Sequence, residues 1–145
     1  MSDRAAAVNA WEALFRAQVT VLRVLQAEFP TDEISLNEYD VLFNLSRQPE
    51  HQLRIRDLNK HLLLTQPSVS RLVDRLAARG LLRKEADPGD GRGTIVCLTE
   101  AGYELFRSVA VPHSTSIAKE MAALTPDELA ALTALTDKLR RSIEG

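Results

Sequence analysis

Apolar residues recur at Val8, Trp11, Phe15, Val19, Leu22, Leu25 and Phe29, in steps of three and four. This spacing predicts one long amphipathic helix from about Arg4 to Phe29, ended by Pro30. Its stripe packs either on the rest of its own chain or, because so long a terminal helix overhangs a small domain, partly on a second copy. Ser35 with Glu38 three residues on is a capping box, and it opens a helix whose inward positions are Tyr39, Leu42, Phe43 and Leu45. A third helix is predicted over Ile55 to Leu62, with Ile55, Leu58 and Leu62 inward. Leu63-Leu64-Thr65 leaves room only for a tight turn. After it Val69, Leu72, Val73 and Leu76 return to helical spacing until Gly80, where a C′ glycine stops the helix. Thr65 is the expected N-cap, with Pro67 in the first turn, where a missing amide hydrogen costs nothing.

Beyond Gly80 the period changes. Leu81 to Glu85 and Thr94 to Leu98 read as strands, and the polar stretch Asp87 to Gly93 between them reads as a loop longer than hairpin closure needs. Thr99 starts another helix with Tyr103, Leu105, Phe106 and Val109 as its apolar positions and Pro112 as a possible kink. Thr125-Pro126-Asp127-Glu128 starts the last helix, whose stripe is Leu132, Leu135, Leu139 and Ile143. The expected architecture is therefore mainly α. It comprises an N-terminal dimerisation helix (1–30), a winged helix-turn-helix domain of three helices and a β-hairpin wing (31–99), and C-terminal dimerisation helices (100–145).

The polar face of the fourth helix carries the chemistry. Gln66, Ser68, Ser70 and Arg71 sit at its exposed start, where small hydroxyls permit close approach and Gln and Arg can pair with base edges in a major groove. Arg75 on the flank is open between a phosphate contact and an ion pair. Arg92, set between glycines in the hairpin loop, is placed for the DNA backbone or a narrow minor groove. Arg54, Arg56 and Lys60 are phosphate-contact candidates that read equally well as solvated surface.

Charge adds to this picture. The chain of 145 residues has a formal charge of −2, yet residues 47–93 hold ten Lys and Arg against six Asp and Glu. The central module is therefore basic (+4) and the two ends together acidic (−6), as expected of a nucleic-acid-binding module on an acidic scaffold. No apolar run reaches the roughly 18 residues needed to span a bilayer, and no signal-peptide pattern is present. The single cysteine, Cys97, excludes an intrachain disulfide framework and reads as a small buried filler. A cytoplasmic location is the expectation. His51, His61 and His113 have no ligand spacing, neither Ser68 nor Ser70 sits on a nucleophile elbow, and no phosphate-cradling glycine loop is present. Neither an enzyme, a metal site nor a cofactor is expected.

Over nearly its whole length the chain resembles the MarR family of bacterial winged-helix transcription regulators. The likeness is carried by Leu58 to Leu64, by Thr65-Gln66-Pro67-Ser68-Val69-Ser70-Arg71-Leu72-Val73-Asp74-Arg75-Leu76, by Arg79-Gly80-Leu81-Leu82, and by Asp87-Pro88-Gly89-Asp90-Gly91-Arg92 leading into Val96-Cys97-Leu98-Thr99-Glu100-Ala101-Gly102. The resemblance implies a homodimer interlocked through its terminal helices, binding double-stranded DNA at a palindromic operator. It also implies repression relieved by a small molecule, often phenolic or lipophilic. It places Gln66, Ser68, Ser70 and Arg71 at the family's major-groove positions, on the helix that the residue pattern itself gives Thr65, Pro67 and Arg75, with Arg92 as the wing arginine and Asp90 as the carboxylate that holds it. Some members carry two adjacent arginines here, whereas this chain has Gly91 before Arg92. Two rival readings stay open: a winged helix that binds protein instead of DNA, and an activator or ligand-independent regulator.

Overall fold

The computed structural model describes residues 2–65 and 67–145, so Gln66 lies outside the described residues. The chain divides into two compact units, residues 28–113 and residues 1–27 with 114–145.

In the 28–113 unit, α2 (Leu36–Ser46) begins at the capping box foreseen from the sequence: the Glu38 amide donates to Ser35 Oγ (3.1 Å) and the Ser35 amide to Glu38 Oε1 (2.8 Å). Its buried face is Tyr39, Val41, Leu42 and Leu45, joined by Asp40 and Asn44. A turn at Pro49–His51 follows, with Glu50 and His51 both at positive φ (61° and 55°). The short strand β1 (Gln52–Arg54) then leads directly into α3 (Ile55–His61). Helix α4 (Val69–Ala78) buries Leu72, Val73 and Leu76 and ends before Gly80, whose φ of +76° is the left-handed C′ geometry. β2 (Leu82–Asp87) and β3 (Asp90–Leu98) form the hairpin, and α5 (Glu100–Glu120) leaves it.

Among the described residues the strands make one antiparallel sheet in the order β1-β3-β2, with Val96 of β3 between Leu53 and Lys84. Strand β1 is an addition to the expected hairpin. Three residues without alternation give no period-2 signal, and they become a strand only because β3 offers them an edge. The core gathers Phe29, Ile34, Tyr39, Val41, Leu42, Leu45, Leu58, Leu72, Val73, Leu76, Leu82, Val96 and Val109. Thus α2, α3, α4 and the hairpin are packed on one apolar centre, which fixes the axis of α4 while leaving its Arg71–Arg75 face outside.

In the other unit, α1 (Asp3–Glu28) and α6 (Pro126–Glu144) run over most of their length without a buried residue. Helix α6 starts on the Thr125/Glu128 capping box, and α5 continues through Pro112 as one helix. No helix among the described residues is long and apolar enough to cross a membrane.

Candidate nucleic-acid interface

The expected start of the recognition helix is corrected by the structure. Thr65 is not its N-cap and Pro67 is not in its first turn. The cap is Ser68, in extended conformation (φ −153°, ψ 109°), with Oγ accepting from the Arg71 amide at 3.3 Å. Two hydroxyls were available for the role, and the later one takes it: Thr65 lies outside the helix, in the connection that follows α3. The Ser68 hydroxyl is therefore engaged by its own helix. Ser70, Arg71 and Arg75 are exposed on the first turns of α4, and Thr65 and Pro67 are exposed just ahead of it. Pro67, Ser68, Arg71 and Arg75 rim one shallow hollow floored by Leu72. Among the described residues neither Arg71 nor Arg75 has an ion-pair partner. Asp74, which could have neutralised Arg75, pairs instead with Lys84 of β2.

The wing is tighter than its sequence suggests. The turn is Pro88-Gly89, and Asp90 to Gly93 belong to β3 instead of a loop, so Arg92 lies on a strand beyond the tip. The aspartates bring this about. Asp87 Oδ1 accepts from the Gly89 amide (2.9 Å), and Asp90 Oδ1 accepts from the Arg92 amide (3.0 Å). Each carboxylate satisfies backbone donors that a turn would otherwise leave to water. Asp90 thus holds Arg92 by its backbone, and the Arg92 guanidinium is unpaired among the described residues.

Asp87 does more. Its side chain is 3% exposed and its Oδ2 lies 2.7 Å from Arg54 Nε, an ion pair that ties the base of the wing to β1. Gly93 fits against it: a Cβ there would stand 3.1 Å from Asp87 Cβ. Arg54, Arg56 and Arg92, together with Asp87 and Asp90, line one cavity of about 190 Å³. Three cationic groups scattered over 39 positions of sequence therefore converge beside the wing, facing one exposed and one buried carboxylate. Lys60 is not among them. It stands on α3, 77% exposed, 3.8 Å from Asp57.

Two features gave no sequence signal. Asp40, 5% exposed, accepts at Oδ2 from the amides of Leu63 and Leu64, in the turn between α3 and α4 (2.9 Å each). Burial raises its carboxyl above the ordinary range, while bonds from Leu64, Leu63 and Asn44 pull it back in part. His113 is also buried, edge-on to Phe29 (5.2 Å) and Tyr39 (5.1 Å), and burial lowers its pKa. Cys97 is buried on β3, with Sγ 3.5 Å from Gln52 Oε1, and burial is the main cause pushing its thiol up. A protonated thiol in such a place is a poor nucleophile.

The sequence profile of the MarR family matches residues 32–93, the helix-turn-helix and most of the wing. The Bacillus subtilis HTH-type transcriptional regulator YkoM is 32% identical over 85 residues, 59% of this chain and 55% of that protein, so the match spans about half the relative's length. A MarR family transcriptional regulator from Streptomyces coelicolor, solved in complex with DNA, superposes with a TM-score of 0.78 at 26% identity, covering 97% of this chain and 89% of that one. BpsR of Bordetella bronchiseptica, whose DNA binding is regulated by 6-hydroxynicotinic acid, superposes at 0.74 with 26% identity over 89% of this chain and 91% of its own. Residues 32–93 thus match the MarR family profile, and over nearly its whole length the chain shares its fold with solved MarR family transcriptional regulators.

Proposed function

We propose that this chain is a sequence-specific DNA-binding regulator that acts as a homodimer on a palindromic operator, represses from it, and is released by a small-molecule effector. The observation that carries the DNA reading is the Arg71–Arg75 face of α4, without an ion pair among the described residues, together with a wing where Arg54, Arg56 and Arg92 converge. Arg71, with Ser70 and Gln66, is assigned to base edges. Arg92 and Arg56 are assigned to phosphate or the minor groove, and Arg75 and Lys60 to backbone positioning. Arg54 is committed to Asp87, and its role is to hold the wing. The dimer reading is supported by the exposed apolar side chains of α1 and α6. The effector reading is supported by likeness to a relative regulated by 6-hydroxynicotinic acid.

The test is selection of bound duplexes from a randomised pool, followed by titration of the winner and of random DNA at two salt concentrations. An inverted repeat with half-sites about 34 Å apart is expected. Arg71→Ala should cost about 1–3 kcal/mol on that site and little on random DNA, whereas Arg92→Ala should weaken both and reduce the salt slope by about one. A pool that returns no enriched sequence would sink the reading and favour a protein partner.

A further inference from the structure

Asp40 is a carboxylate on the buried face of α2, between Tyr39 and Val41. Taking an ion out of water costs several kcal/mol, and such groups persist only when well partnered. Here no cation does it: among the described residues Asp40 has no ion pair. Its partners are the Leu63 and Leu64 amides on Oδ2 and the Asn44 side-chain amide on Oδ1 (2.9 Å). Asn44 stands one helical turn on, and its Nδ2 also donates to the Asp40 carbonyl (2.8 Å), so the Asp40 side chain is braced from its own helix.

Leu63 and Leu64 are the first residues after the C-cap of α3, and the N-cap of α4 follows only four residues after Leu64. Leu63 points its side chain out, at 76% exposure. The turn is therefore not anchored by burying its own side chain there. Its backbone is held by a carboxylate from a different helix. Core packing through Leu72, Val73 and Leu76 sets the axis of α4, but the position of its cap Ser68 depends on where the chain leaves α3.

We infer that Asp40 is a positioning residue for base discrimination: by gripping both turn amides it sets the register in which the start of α4 meets the DNA. This rests on the DNA reading above. Contacts from flexible arginines to phosphate tolerate a shifted turn, whereas bidentate contacts to base edges do not. Loss of the grip should therefore lower the preference for operator over random DNA, and not merely the overall affinity.

Two variants of the full chain decide it. Asp40→Asn keeps the volume and one acceptor, but its NH2 group must stand either against both turn amides, which share Oδ2, or against the Asn44 amide that braces the side chain at Oδ1. Leu63→Pro deletes one donor from the turn side, and Leu62 (ψ 135°) already has the extended conformation that a following proline requires. The readouts are affinity for the selected operator and for random duplex, the urea midpoint, and amide exchange at Leu64. Each variant is expected to reduce the operator-to-random ratio by about tenfold, the worth of one lost hydrogen bond, with random-DNA affinity within about twofold. Leu64 should exchange faster in both. If Asp40→Asn does not fold, Leu63→Pro alone decides. Folded variants that keep the wild-type ratio, or that lose affinity equally on both duplexes, would overturn the inference while leaving the DNA reading intact. A wild-type chain with no preferred duplex would overturn both, and protected Leu64 exchange would then mark the grip as a fold brace only.

Discussion

At the scale of single residues, the junction after α4 shows how little room the fold leaves. A Cβ on Gly102 would lie 2.1 Å from the Leu81 carbonyl oxygen and 2.8 Å from Leu98 Cδ1. Thr99 fixes that approach: its hydroxyl donates to the Gly80 carbonyl (2.7 Å) and accepts from the Gly102 amide (3.0 Å). The Leu81 oxygen is backbone and cannot swing aside, so Gly102→Ala should lower unfolding free energy by about 3 kcal/mol, at the upper end for overpacking. Gly91→Ala, with nothing within 4 Å of the new carbon, should stay within about 0.5 kcal/mol in the same denaturant titration. The sequence makes the Leu-Thr-x-x-Gly pattern visible. It does not reveal the reason for the glycine, since the atom that excludes a side chain belongs to a residue 21 positions earlier. His113 supplies a second test. Its buried Nδ1 has no hydrogen-bond partner among the described residues, and burial lowers its pKa. The folded state therefore favours the neutral ring, and its contribution to stability is full above about pH 6.5 and is lost as pH falls through the lowered folded value. His113→Phe should flatten the fall in urea midpoint on going from about pH 7.5 to 5.5; equal falls in variant and wild type would show that other groups carry it.

Elements were legible where their signals are local. The Ser35/Glu38 and Thr125/Glu128 boxes each close within three residues, and both helices start where those residues say. The start of α4 was not legible, because Thr65 and Ser68 are both favourable cap residues three positions apart and only the path of the chain leaving α3 chooses between them. The wing loop was misjudged because Asp87 and Asp90 absorb turn amides and let β3 begin early. Strand β1 and the Asp40 grip depend on partners far along the chain, Cys97 for Gln52 and the Leu63 amide 23 residues from Asp40, and no residue type announces them. The cap carries a prediction at this scale. Ser68→Ala should destabilise by about 1 kcal/mol, and Ser68→Asp should restore that loss in a thermal melt because it caps equally well. The aspartate should nonetheless bind every duplex worse, since it brings negative charge to the phosphates. A Ser68→Asp protein that binds DNA as wild type does would remove the start of α4 from the interface.

For the whole molecule, the strongest unfilled requirement is apolar. Trp11 and Phe15 of α1 are 58% and 51% exposed, and Leu135 and Ile143 of α6 are 67% and 79% exposed. Isolated helices draw most of their stability from packing of an apolar face, and exposed apolar surface on this scale marks an interface. Sedimentation should show a dimer for the wild-type chain at about micromolar concentration and a monomer for Leu135→Glu, since a charge at an isologous contact is buried twice. A monomeric wild type would leave those side chains without explanation by self-association. The stripes themselves were readable from their three-four spacing; which molecule covers them is not written in one chain's periodicity.

The chain enters the 28–113 unit beside Phe29 and leaves it at His113, and those two rings touch, with centroids 5.2 Å apart. A segment whose ends lie side by side is a cassette. It can be spliced into a host, or lifted out, without stretching either remainder, which is the geometry that domain insertion favours. Divergence can then act on the inserted segment and on its carrier separately.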